Sequence, residues 1–386
     1  MSKPLLLWIG LIFLFALEIL RVYFIMPFPG SQKHDTVAFA YFLDRNIFWL
    51  RIAALVLFIW PLLYYLRSGK AWQKITLIVV LLVYGGIFYL FNFKFLADKM
   101  FYPPKVKQFA TTGASNDQLV IGVALHGEAR AYPIEVIGYH HQVMDTVGGQ
   151  PVLVTYCTVC RTGRVYSPFV RGKLVTFRLV GMDHFNAMFE DADTRSWWQQ
   201  ATGKAITGPL KGQQLQEIPS AQMTLVDWQM LHPNSLTMQP DPNFASRYDS
   251  LKGYDEGTIK SSLEKRDTGS WQFKSWVIGV ESDGRSKAYD WNNLVRERII
   301  TDTLGGLHLL LTIEPNNKTF YAFSYNDSLR FQYEKTLRDI NTRSTWQPNG
   351  VCTDGPLKGA RLQPVQAYQE FWHSWRTFHP ATAMVK

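Results

Sequence analysis

Three long apolar runs dominate the first hundred residues: Leu5 to about Met26, Ile47 to about Leu66, and Ile75 to about Leu96. Each is long enough to cross a bilayer as a helix. Beyond about residue 100 the pattern changes to short runs rich in Val, Leu, Thr, Phe and Tyr, broken by Gly pairs and Asn-Asp turns. That pattern predicts mainly β structure, with one short aromatic helix around Trp228 and another around Trp375. The expected fold class is α+β, mainly β: an N-terminal bundle of three transmembrane helices (1–100), then two tandem repeats of a β-rich module.

The first run is too long for a cleaved signal peptide, contains Glu18 and Arg21, and lacks a small-residue cleavage site. Glu18 and Arg21 stand three apart on one helical face, so they are placed to pair within the bundle. The alternative for Arg21, and for Arg51 in the second run, is a side chain that reaches to the headgroups.

The repeat is visible by laying the chain on itself. Val120-Ile-Gly-Val123 returns as Val277-Ile-Gly-Val280, and Asp145-Thr-Val-Gly-Gly149 as Asp302-Thr-Leu-Gly-Gly306. Further on, Thr194-Arg-Ser-Trp-Trp198 returns as Thr342-Arg-Ser-Thr-Trp346, Gly208-Pro-Leu-Lys-Gly212 as Gly355-Pro-Leu-Lys-Gly359, and His232-Pro233 as His379-Pro380. The expected division is a first repeat over 105–233, a polar connector over 234–270, and a second repeat over 271–386. Elements held by both copies read as architecture, namely turns, caps and packed indoles.

The formal charge of +9 resolves on division along the chain. Residues 1–108 hold 12 Lys/Arg against Glu18, Asp35, Asp44 and Asp98, a net of +8, which leaves +1 for the remainder. With no basic stripe there, nucleic-acid binding is not expected. The loop from Arg67 to Lys74 has three cations and no acid, which favours a cytoplasmic position and an extracytoplasmic large domain. Lys94, Lys99, Lys105 and Lys107 argue the other way, but a large domain crosses regardless of nearby charge.

What differs between the copies marks the chemistry. Cys157 and Cys160 fall opposite Glu314 and Asn317, and His140 and His141 opposite Glu297 and Arg298; His184 and Met188 have no counterpart of their type. If Gly148-Gly149 form a two-residue hairpin turn, residues whose numbers add to 297 face each other, so Cys157 lies across from His140. Cross-strand neighbours on one face have Cβ atoms roughly 4.5–5.5 Å apart, close enough to share a metal. His141 pairs with Tyr156 on the other face, as a packed core histidine.

Three readings of the cysteine pair stay open. Cys157, Cys160 and His140, completed by His184 or Met188, make a soft ligand set suited to copper or zinc, with Asp145 holding the hairpin and Tyr156 and Arg161 supporting it. A Cys-x-x-Cys pair also suits thiol-disulfide chemistry. The plainest reading is a static disulfide, or two buried thiols bracing a loop. Covalent haem is excluded because position 161 is Arg, and no nucleotide cofactor is expected. A separate possibility is a cell-envelope ligand held on Trp198, Trp228, Trp346 and Trp375, which requires exposed indoles.

Tyr132-Pro133, His140, Asp145, Gly148-Gly149, Pro151 and Val154-Thr-Tyr-Cys157-x-x-Cys160, followed by Met188 and Thr194-x-Ser196-x-Trp198, resemble the bacterial domain-of-unknown-function 3179 family over about residues 105–386. This chain has Thr158-Val159 where that family often has Pro-Leu. The resemblance implies a bacterial, membrane-attached or exported protein and brings no established activity.

Overall fold

The computed structural model describes residues 2–111 and 117–385. Among these, three helices are long and apolar enough to cross a membrane: α1 (Lys3–Tyr23), α2 (Val37–Ser68) and α3 (Ala71–Phe93). The chain divides into two compact units, Met1–Tyr102 with Val175–Gln199 and Lys204–Gln214, and Pro103–Leu174 with Gln200–Gly203 and Leu215–Lys386.

The first unit joins the three helices to a four-stranded sheet in the order Ala205–Thr207, Trp197–Gln199, Asn186–Asp191, Phe177–Asp183. α2 begins ten residues before its apolar run because this sheet supplies partners for its polar N-terminal part. Tyr41 meets the buried Trp197 edge-on at 5.1 Å, and Arg45 pairs with Glu190 at 2.7 Å. Within the bundle Glu18 is fully buried, but its ion-pair partner is Arg51, not Arg21: Arg51 Nε and an Nη donate to its two oxygens at 2.7 and 2.6 Å. Arg21 donates instead to Asn92 Oδ1 at 3.0 Å. Inward-facing polar groups on three helices bond one another, as a medium without water requires, and leave Arg21 Nε over.

The second unit contains two sheets with the same internal order. One runs Ala221–Thr224, Leu119–Leu125, Glu128–Pro133, Leu236–Met238 and adds Phe109–Ala110 at its edge; the other runs Ala367–Phe371, Trp276–Ser282, Arg285–Asp290, Ala383–Val385. In both, the third pairing is the parallel one. Each is followed in the chain by a seven-residue helix, Ile134–His140 or Trp291–Glu297, and then by a hairpin with a third strand. These hairpin sheets are Gln142–Val147, Gln150–Cys157, Thr162–Tyr166 and Ile299–Leu304, Leu307–Ile313, Phe320–Tyr325, the latter extended by Gln363–Pro364.

The side chains that tie these layers are alike. Asp145 accepts from Tyr132 at 2.7 Å and Arg130 at 2.6 Å, while Asp302 accepts from Tyr289 at 3.1 Å and Lys287 at 2.7 Å. A Cβ on Gly122 would lie 2.3 Å from the indole of Trp228, and one on Gly279 2.2 Å from that of Trp375, so both strands need glycine where a buried indole crosses. The Thr-Arg-Ser-x-Trp elements wrap a carboxylate. Asp191 accepts from Thr194 Oγ1 at 2.7 Å and Trp198 Nε1 at 2.9 Å, and Asp339 from the Thr342 backbone N–H at 2.9 Å. Arg195 and Arg343 are exposed, at φ of 60° and 59°, so their part is a left-handed turn.

Candidate functional site

The Gly148-Gly149 turn has both φ angles positive, 55° and 78°, and the register it sets pairs residues adding to 297, from Val147↔Gln150 to Gln142↔Thr155. Here the strand ends. His140 is the last residue of the preceding helix and His141 caps it at φ 58°, so the cross-strand partnership of His140 with Cys157 does not form. The ring of His140 meets the Tyr248 hydroxyl at 2.8 Å and packs among Tyr139, Phe244 and Tyr248. His141 Nδ1 lies 2.9 Å from the Tyr156 carbonyl, and full burial lowers its pKa to about 4.

Cys157 closes its strand opposite Thr162, and Cys160 sits in the loop between them. Both sulfurs are fully buried and unbridged. Three successive loop carbonyls have donors from outside the hairpin. Thr158 O takes the Tyr254 hydroxyl at 2.8 Å; Val159 O takes Lys274 Nζ and faces His373 Nε2, both at 3.2 Å; Cys160 O takes the Phe371 N–H at 3.0 Å. Arg161, at φ 55°, is buried with Nε on Gln369 at 2.9 Å and its plane 4.0 Å from the Trp276 ring centroid. The loop is thus clamped by residues that follow it by more than ninety positions.

Burial is the largest cause raising the Cys160 thiol well above its ordinary pKa. The hydrogen bond to Cys157, the charge of Cys157 and the nearby Glu370 carboxylate push it the same way, against a bond to Ser374. Ser374 in turn bonds Thr162 at 3.2 Å and donates to Glu370 at 2.9 Å. The Glu370 carboxylate forms a short pair with Arg164, whose plane stacks 3.4 Å from the Tyr368 ring centroid. Burial lowers the pKa of Lys274, and burial followed by the charge of Lys274 lowers that of His373 to about 3. Burial therefore favours the protonated form of the Cys160 thiol, beside a buried ion pair.

The corresponding corner of the second half has the same scaffold and different chemistry. Thr319 Oγ1 donates to Asp227 at 2.5 Å, where Thr162 meets Ser374, and Gln222 Nε2 donates to Gln369 at 2.7 Å across a pair 147 positions apart. Glu314 replaces Cys157, and burial together with the charge of Asp227 raises its pKa to about 7.

Of the residues singled out in the sequence, Cys157, Cys160, Tyr156 and Arg161 come together. Met188 and His184 belong to the other compact unit: Met188 is buried in a strand, and His184 is hydrogen-bonded to Asp183 at 2.7 Å, which raises its pKa. Among the described residues no group of three His, Cys, Asp or Glu side chains is placed to hold a metal ion. Trp198, Trp228, Trp346 and Trp375 are at most 3% exposed, so they form no stacking platform. Lys274, Glu370, His373 and Ser374 were not legible as site residues, nor was the connector, which supplies Tyr248 and Tyr254. Comparing the halves does carry a signal for two of the ion-pair residues, since Arg164 falls opposite Tyr321 and Glu370 opposite Met223.

These features define a class: an α+β protein with three helices long and apolar enough to span a membrane, and a buried cysteine pair where its second hairpin meets a later strand and helix. The chain belongs to the family described as "Protein of unknown function (DUF3179)", whose model matches residues 101–382. Comparison with curated proteins returned no match, nor did comparison with solved structures.

Proposed function

We propose that this membrane-anchored protein carries two copies of one β-rich module that clasp each other reciprocally, and that Cys157 and Cys160 form a redox-closable brace at one of the two clasps. The observation that carries the reading is the hydrogen-bonded pair of fully buried thiols under a loop with three successive carbonyls held from outside the hairpin. An oxidoreductase that exchanges with protein partners needs an accessible thiolate, and a fully buried pair offers no such access. Closing the brace joins the two sulfurs, releases two protons and passes two electrons to an oxidant of the compartment. The cationic loop Arg67, Lys70, Lys74 favours an extracytoplasmic position for the large domain, where disulfides persist.

A soft metal ion is the second reading, favoured by the convergence of two sulfurs. Copper(I) on Cys157 and Cys160 suits it better than zinc, whose structural sites take four ligands. Binding would release both thiol protons. One experiment separates the readings: full-length protein extracted from membranes is unfolded and alkylated before and after reduction, and its metal content is measured in parallel. The brace predicts that Cys157 and Cys160 label only after reduction and that metal is substoichiometric. One copper per chain, lost in a Cys157→Ser, Cys160→Ser double variant, establishes the metal reading; free thiols without metal reject both.

A further inference from the structure

The membrane helices hold a cavity of about 400 Å³ that the cysteine chemistry does not use. On α2 it is lined by Arg51, Leu55 and Leu62, and on α3 by Tyr84, Gly85 and Phe88. Arg51 to Leu62 is eleven residues, so the groove runs for about 16 Å at the helical rise. That is close to one leaflet's share, roughly 15 Å, of the hydrocarbon core. Its walls are aliphatic and aromatic except at one end, where Arg51 and Tyr84 stand.

That polar end has a charge excess. Glu18 accepts from Arg51, from Asn92 at 2.8 Å and from Tyr84 at 3.2 Å, while Asn92 Oδ1 accepts from Arg21 at 3.0 Å and from Arg51 at 2.8 Å. Two guanidiniums therefore share one carboxylate. The adjoining belt does not correct this, because Arg45, Arg178 and Lys99 are matched by Asp44, Asp98 and Glu190. Arg21 is 8% exposed and its Nε has no hydrogen-bond partner. An unmatched cation at the edge of hydrocarbon is costly unless an anion meets it.

We propose that this groove holds one acyl chain of an anionic phospholipid, whose phosphate is drawn to the Arg21 and Arg51 pair. The chain fills the apolar length between α2 and α3, and the headgroup supplies the missing negative charge. Lateral entry of the chain needs no opening of the bundle, because the groove is bounded by only two helices along most of its length.

Glycine provides a clean test. A Cβ at Gly85 or at Gly86 meets nothing within 4 Å, but only Gly85 lines the groove, so Gly85→Phe fills it and Gly86→Phe adds the same bulk elsewhere. Full-length protein in nanodiscs of equal phosphatidylglycerol and phosphatidylcholine is released and weighed by native mass spectrometry. The expected result is one retained lipid, with phosphatidylglycerol favoured about fivefold, the preference one Arg confers. Gly85→Phe lowers retention of either lipid about tenfold, Gly86→Phe leaves it unchanged, and Arg21→Gln removes the preference while keeping retention. Equal retention of the two lipids by the unaltered protein overturns the proposal, as does equal retention by the Gly85→Phe and Gly86→Phe variants.

Discussion

Arg164→Met is the perturbation that probes the cysteine seam most sharply. The Arg164 side chain is 2% exposed and its partner Glu370 1% exposed, so removing the guanidinium leaves a carboxylate shielded from solvent, with the Ser374 hydroxyl as its remaining side-chain donor among the described residues. Breaking such a pair from one side costs about 3–5 kcal/mol, because the surviving charge stays desolvated. Methionine keeps most of the apolar length over Tyr368, so little of that cost is lost packing. Adding Glu370→Gln removes the stranded charge and preserves the bond to Ser374, and the double variant should return to within about 1 kcal/mol of the parent. The coupling energy between the two sites is then about 2–4 kcal/mol. Urea unfolding of the detergent-solubilised full chain at neutral pH, followed by tryptophan fluorescence, measures all four species. An effect below about 1 kcal/mol, or two single costs that simply add, would show that the two side chains are not energetically coupled.

Other outcomes follow from the same contacts. Gly279→Ala forces a methyl into the Trp375 indole, 2.2 Å away at its nearest atom, and should cost about 1–3 kcal/mol in thermal or urea unfolding. Glu314 has a folded pKa of about 7 against an ordinary 4.5, so the folded state is penalised above pH 7 and relieved on acidification. Glu314→Gln should therefore raise the melting temperature more at pH 8 than at pH 5; an equal gain at both contradicts the assignment. His373 is held neutral down to about pH 3, so the unfolded chain binds its proton first and stability falls as pH drops below 6.5. His373→Phe, which keeps the stack on Phe273, should make stability less acid-sensitive by up to about 1.4 kcal/mol per pH unit in that range.

Periodicity made the membrane helices legible, and the Gly-Gly turn made the hairpin register legible through to Gln142↔Thr155. It failed two residues further along. A hairpin sum rule assumes that both strands continue, and the Ile134–His140 helix ends the ladder on one side while Gln150–Cys157 continues on the other. The partner of Glu18 was misread for a related reason: spacing on one helix shows Arg21 at close range but says nothing of Arg51 on the next. Lys274, Glu370, His373 and Ser374 are more than a hundred residues from the cysteines, and no local pattern links a loop carbonyl to a donor from another half of the chain. The half-to-half differences found the sulfurs because substitution at an otherwise matched position is visible in one dimension.

The most direct test of the brace is the stability of the full chain with the cysteine pair oxidised and reduced, beside a Cys157→Ser, Cys160→Ser double variant treated identically. Closing a loop of four residues is worth about 2 kcal/mol on the chain-entropy relation. The account predicts that the parent loses roughly that amount on reduction and that the double variant shows no redox response. Identical unfolding of the parent in oxidant and reductant, or a shift of the same size in the variant, would contradict it.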